Sequence, residues 1–251
     1  MRIPFIAGNW KMNLTLSEAE NFVKIVSDKL PDADKIETAI AASPLFLPSM
    51  IKLSKDSPLK IAAQNCFYKD SGAYTGEVSP MTLKDIGVSY VILGHSERRR
   101  YFHETNKMIN LKVLSVLKNG MSPIIGCDEK MSKIKSNHHM KWLDNPVSEA
   151  LRGVSAEDMS KVLIAYEPSW AIGTGRAASK EEAEDGCSLI RTTISELYSP
   201  QIADQVRILY GGSVSDKNVA NLMQCPDIDG VLAGKASLQP EKFLKLLNYQ
   251  K

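Results

Sequence analysis

The 251 residues carry 43% apolar and 24% charged side chains and 12 prolines, a balance that excludes a disordered chain and leaves room for one large α/β domain or two small ones. A formal net charge of +2, with basic residues interleaved among Asp and Glu, implies no broad field for nucleic acid, and the one basic cluster, Arg98, Arg99 and Arg100, reads as a solvated face or a set of ion-pair partners. Cys66, Cys127, Cys187 and Cys225 are too widely spaced for a zinc site or a disulfide framework, the apolar run at Phe5, Ile6 and Ala7 is too short for a signal peptide, and no stretch suits a bilayer, so a reduced, cytoplasmic chain is expected.

Short apolar runs alternate with helical periodicity along the whole chain. The first run, Phe5 to Ala7, precedes a helix whose stripe is Ala19, Val23, Val26 and Leu30, opened by Ser17 with Glu20 three residues on as a capping box. Thr38 to Ala42, Ile61 to Ala63, Tyr90 to Leu93, Pro123 to Ile125 and Val162 to Tyr166 follow. The clearest helix comes next, capped by Ser179 and Glu182 with the stripe Ala183, Cys187, Ile190, Ile194 and Leu197. Val206 to Tyr210 and Gly230 to Ala233 complete the set, and Pro240 suits the first turn of the last helix. Runs that are continuously apolar fit parallel strands buried on both faces. Eight strand–helix units suggest a closed (β/α) barrel, although an open doubly wound sheet uses the same alternation. The segment from Cys127 to Lys161 is the least legible, and its adjacent His138 and His139 read as surface residues, since ligands on a helix sit one turn apart.

In a barrel of this kind the chemistry sits where strands end, and those positions are polar here: Asn9 and Lys11, Gln64 and Asn65, His95 and Glu97, and Glu167. Gly211, Gly212 and Ser213 leave the seventh run and Gly234 the eighth. Each cluster alone reads as a tight turn, but together they match the usual phosphate site of barrel enzymes, because bare backbone amides can close on phosphate oxygens. After Glu167, the segment Pro168-Ser169-Trp170-Ala171-Ile172-Gly173-Thr174-Gly175 reads as a lid with apolar side chains to bury on closing.

Four segments carry a family resemblance: Ala7-Gly8-Asn9-Trp10-Lys11-Met12-Asn13, Gly94-His95-Ser96-Glu97-Arg98-Arg99, Ala165-Tyr166-Glu167-Pro168 with its lid, and Tyr210-Gly211-Gly212-Ser213-Val214. With them the chain resembles the triosephosphate isomerases from end to end. The resemblance implies a single (β/α)8 TIM barrel over residues 1–251 that needs neither cofactor nor metal. It would interconvert dihydroxyacetone phosphate and D-glyceraldehyde 3-phosphate through an enediolate, in glycolysis and gluconeogenesis. By likeness, Glu167 would be the base, His95 a neutral group that polarises the carbonyl and shuttles protons, Lys11 the holder of negative charge, Asn9 a residue that helps orient Lys11 and the substrate, and the amides of Gly173, Ser213, Gly234 and Lys235 the phosphate contacts. The loop 64–80 would dock into a twin subunit, with Thr75 reaching its active site and Arg98 pairing across the interface, Glu77 of that second copy being a candidate acceptor. Two departures stand out: Gly126-Cys127-Asp128-Glu129 replaces the family's Cys-x-Gly-Glu after the fifth strand, and Gly234-Lys235 replaces Gly-Gly.

Overall fold

In the computed structural model, β1 (Phe5–Asn9) pairs in parallel with β2 (Glu37–Ala42) on one side and with β8 (Gly230–Ala233) on the other, which closes the sheet. The structure describes residues 2–129, 146–168 and 178–249. Between those strands β3 (Lys60–Ala63), β4 (Tyr90–Leu93), β5 (Ser122–Glu129), β6 (Leu163–Pro168) and β7 (Arg207–Tyr210) follow in chain order, giving a closed eight-stranded parallel barrel. The open-sheet alternative is thereby excluded. Helices α1 (Leu16–Val26), α2 (Leu47–Leu53), α3 (Pro80–Asp85), α4 (Ser96–Tyr101), α5 (Asn106–Lys118), α6 (Lys180–Leu197), α7 (Pro200–Ala203), α8 (Val219–Leu222) and α9 (Pro240–Leu247) connect them.

Strand parity sorts the core into two bodies. Phe5, Ala7, Ala39, Ala41, Ala62, Tyr90, Ile92, Ile124, Leu163, Ala165, Leu209 and Leu232 fill the barrel interior, while the alternate positions pack outward against the helices. The interior is dominated by alanine toward β1 to β3, where Phe5 and Tyr90 meet edge to face at 4.9 Å and take up the space. At the strands' N-terminal end this packing is sealed by polar groups: Arg207 pairs with Glu37 at 2.6 Å, its guanidinium lies 4.9 Å over the Phe5 ring, and the Tyr90 hydroxyl donates to Glu37.

Both capping expectations can be checked. Ser179 and Glu182 form the expected box on α6, and Pro240 occupies the first turn of α9. On α1 the box belongs to Thr15 and Glu18 instead of Ser17 and Glu20: the Thr15 amide donates to Glu18 Oε2 at 2.7 Å. The same spacing fits both pairs, and the left-handed Leu14 (φ 70°) turns the chain into the helix two residues earlier, leaving Glu20 to accept from Ser49 Oγ. Leu30 falls beyond the end of α1, after a 3₁₀ turn at Ser27–Lys29, and Leu197 at the end of α6 is exposed. The strands run further than the apolar runs did: β1 includes Asn9 and β6 includes Glu167 and Pro168. Pairing of β5 with β6 likewise continues through Asp128 to Glu167 and Glu129 to Pro168, so residues 126–129 lie within the fifth strand and do not follow it.

Candidate active site

The parity that buries Ala7, Ile124 and Ala165 inside the barrel brings Asn9, Gly126 and Glu167, two residues further on, to its C-terminal mouth. Glu167 is 0% exposed. A carboxylate buried so completely needs a compensating donor, and the Ser96 amide supplies one, donating to Glu167 Oε2 at 2.8 Å from the first turn of α4. The other oxygen, Oε1, has no hydrogen-bond partner among the described residues and lies 3.5 Å from His95 Nε2.

His95 stands at the N-cap of α4, where its Nδ1 accepts the Glu97 amide at 3.2 Å. A neutral imidazole that accepts at Nδ1 carries its hydrogen on Nε2, the nitrogen turned toward Glu167. The left-handed Gly94 (φ 70°) makes this turn: a Cβ there would fall 2.7 Å from Ile109 Cδ1.

Lys11 leaves β1 in a left-handed conformation (φ 55°) uncommon for a residue with a side chain, and its neighbours hold it there. The Asn9 side chain accepts its amide at 3.1 Å, and Gln64 Nε2 donates to its carbonyl at 2.9 Å. The strained turn carries the ammonium to Glu97 Oε1 at 2.7 Å, part-buried on the same rim as His95. A Cβ built on Gly234 would stand 4.0 Å from Lys11 Cε, so the exit of β8 lies beside the lysine. Lys235 follows at the head of a 3₁₀ turn, Lys235–Ser237, and both Lys235 and Ser213 are exposed. The Gly211 amide donates to the Tyr166 carbonyl at 2.8 Å, which ties the β7 exit to the strand that carries Glu167.

The structure thus brings Asn9, Lys11, His95, Glu167 and Gly234 to one mouth. His138, His139 and all of the expected lid after Pro168, Gly173 included, lie outside the described residues. Sequence reasoning missed the part played by Ser96, whose contribution is a backbone amide and so leaves no trace in residue type. It also misses Arg99, one of the cluster that reads as a solvated face or a set of ion-pair partners. The expected pairing of Arg98 across an interface has an alternative within the chain, where Arg98 Nε donates to Glu104 Oε1 at 2.6 Å and the guanidinium lies over Phe102. All four cysteines are buried, and none of them is in a disulfide. Among the described residues no group of three His, Cys, Asp or Glu side chains could hold a metal, and no helix is long and apolar enough to cross a membrane.

A family model described as triosephosphate isomerase matches residues 4–250. The triosephosphate isomerase of Lactiplantibacillus plantarum is 53% identical over 250 residues, covering 100% of this chain and 99% of its own length. That of Lactobacillus helveticus is 50% identical over 249 residues, with 99% of each chain covered, and that of Ligilactobacillus salivarius is 48% identical over 250 residues, with 100% of each covered.

Proposed function

As the chain belongs to the triosephosphate isomerase family of enzymes, we propose that it interconverts dihydroxyacetone phosphate and D-glyceraldehyde 3-phosphate within one catalytic barrel, by proton transfer through Glu167. The observation that carries this reading is the pairing at the mouth. A fully buried carboxylate, with one oxygen held by an amide and the other without a hydrogen bond among the described residues, stands 3.5 Å from His95 Nε2. Removing a proton next to a carbonyl leaves negative charge on the carbonyl oxygen, so the reaction requires a base on one side and donors on the other. Glu167 accepts the proton from one carbon and returns it to its neighbour. His95 Nε2 donates to the developing oxyanion and passes protons between the two oxygens, and the Lys11 ammonium holds the charge, with Asn9 fixing the strained turn that presents it.

The phosphate lies at the exits of β7 and β8, against the amides of Ser213, Gly234 and Lys235, with Gly173 of the lid adding a fourth. Each charge-assisted hydrogen bond contributes about 1.5 to 3 kcal/mol, binding energy remote from the reacting carbons that a base alone cannot replace. No cofactor is required, because donor and acceptor of the proton are both carbons of the substrate. The reaction serves glycolysis and gluconeogenesis in the cytoplasm. An assay coupling triose phosphate interconversion by the purified chain to a dehydrogenase tests the reading, and no turnover above background refutes it.

The same reading includes a homodimer formed through loop 64–80. Its support is the cluster of Phe67, Tyr68 and Tyr74, with ring centroids 4.2 and 4.6 Å apart, and the exposure of Met12 (98%), Leu45 (82%) and Thr75 around the mouth. Thr75 then reaches the second copy's Asn9 and Lys11. Sedimentation against activity checks this: a fully active monomer at low concentration contradicts it.

A further inference from the structure

We infer that Arg99 and Gly126 are positioning residues for the carboxylate of Glu167, acting by holding the backbone shelf on which it lies. The inference rests on the assignment of Glu167 as the base and goes beyond it to what sets the place of that base against His95.

The shelf consists of two backbone segments from neighbouring strands. One is the β4 exit at Gly94 and His95; the other is Gly126 in β5. Arg99 joins them from α4: its Nε donates to the Gly94 carbonyl at 2.8 Å, and its Nη2 donates to the Gly126 carbonyl at 3.1 Å. Nη1 donates to Asn106 Oδ1 at 2.6 Å at the start of α5, which fixes the plane of the guanidinium. One planar fork therefore spans two strands, something a lysine's single nitrogen cannot do with the same geometry. The ladder pairs these strands only from Tyr90–Ser122 to Leu93–Ile125, so the arginine extends the link just past the last paired residues.

Gly126 supplies the second half of the device. A Cβ built there would meet Glu167 Oε1 at 3.0 Å, the Gly94 carbonyl at 3.0 Å and His95 Cα at 3.1 Å, all tighter than ordinary packing. Oε1 of the base is thus backed by bare backbone, and the same point in space touches the residue that carries the imidazole. On the opposite flank a Cβ on Gly211 would meet Glu167 Cγ at 3.1 Å, so the side chain lies in a slot with glycine on β5 to one side and at the exit of β7 to the other. Moving either half of the shelf changes the separation of Glu167 and His95, and a misplacement of about 1 Å costs on the order of a hundredfold in rate.

The test is a kinetic cycle in the full-length chain with Arg99→Ala, Gly126→Ala and Glu167→Asp, reading turnover of triose phosphate and the inhibition constant of inorganic phosphate. Arg99→Ala is expected to lower kcat by roughly ten- to a hundredfold and Gly126→Ala by several-fold, with phosphate inhibition unchanged. In the Glu167→Asp background both losses shrink, because the shorter side chain has already withdrawn from the shelf. Arg99→Lys keeps the charge and recovers only part of the rate. Losses of equal size in both backgrounds, or losses that fall on phosphate inhibition, overturn the proposal. If Arg99→Ala does not fold, Gly126→Ala carries the same comparison. Retention of turnover by Glu167→Asp alone is a separate result, which refutes the base assignment itself.

Discussion

The two ends of the barrel treat polar groups in opposite ways. At the N-terminal end charged side chains are spent on one another: Glu37 meets Arg207 at 2.6 Å and the Tyr90 hydroxyl, while Asp229 accepts from Arg2, Arg191 and the Ile208 amide. At the C-terminal mouth one oxygen of Glu167 has no hydrogen bond among the described residues, His95 approaches the carboxylates of Glu97 and Glu167 only to 3.5 Å, and Lys11 is held in a strained turn. Satisfied polar groups fix a fold, whereas the capacity left at the mouth is what a substrate with a carbonyl and a phosphate can use. The difference teaches that this barrel separates stability from chemistry along its own axis.

Substitutions at the two ends should therefore separate rate from stability. The largest effect is expected at Glu167: replacement by Gln should lower turnover by roughly a hundred- to ten-thousandfold, the range of general-base catalysis, and leave the unfolding midpoint near that of the parent. Steady-state kinetics beside thermal unfolding would check it. At the other end, Glu37→Ala leaves Arg207 without its carboxylate and should cost roughly 2 to 4 kcal/mol of stability with turnover per folded molecule unchanged, as read by urea unfolding. A comparable loss of turnover there would break the separation.

Acid should sharpen the contrast through a third cluster. Burial pushes the Glu104 carboxyl up, but hydrogen bonds and charges from Lys112 and Arg98 outweigh it and hold the group below its ordinary value. A carboxylate depressed in the folded state stabilises fully above its unfolded value of about 4.3, and that contribution disappears as pH falls through the lower folded value. Unfolding midpoints measured on either side of that window should fall at acid pH, and Glu104→Gln should flatten this part of the decline. The smallest effect is expected at Thr15, where Ala removes the α1 cap and should cost about 1 kcal/mol, with no change in rate.

Most of the frame was legible because burial on both faces leaves a continuous apolar run, and each of the eight runs is a strand, Tyr90–Leu93 and Gly230–Ala233 with the same bounds and the other six with an end shifted by a few residues. The ends moved because ladder pairing does not stop at the first polar side chain: Asn9, Glu167 and residues 126–129 pair as strand while carrying polar groups or glycine. Asn9, Lys11, His95 and Glu167 were legible as polar residues at run ends, and the structure places them together. The Ser96 amide, the Arg99 fork and the bare Cα of Gly126 were not, since each acts through the backbone across neighbouring strands and residue type records none of it. The capping box of α1 was misplaced by two residues because Thr15–Glu18 and Ser17–Glu20 satisfy the same pattern, and only the backbone turn at Leu14 chooses between them.

Deuterium uptake from heavy water at the carbon beside the carbonyl, followed by NMR during turnover, tests the central claim most directly. The account predicts that the parent chain labels its product and that Glu167→Gln loses both labelling and turnover while still binding inorganic phosphate. Labelling by Glu167→Gln at the parent's rate would contradict it.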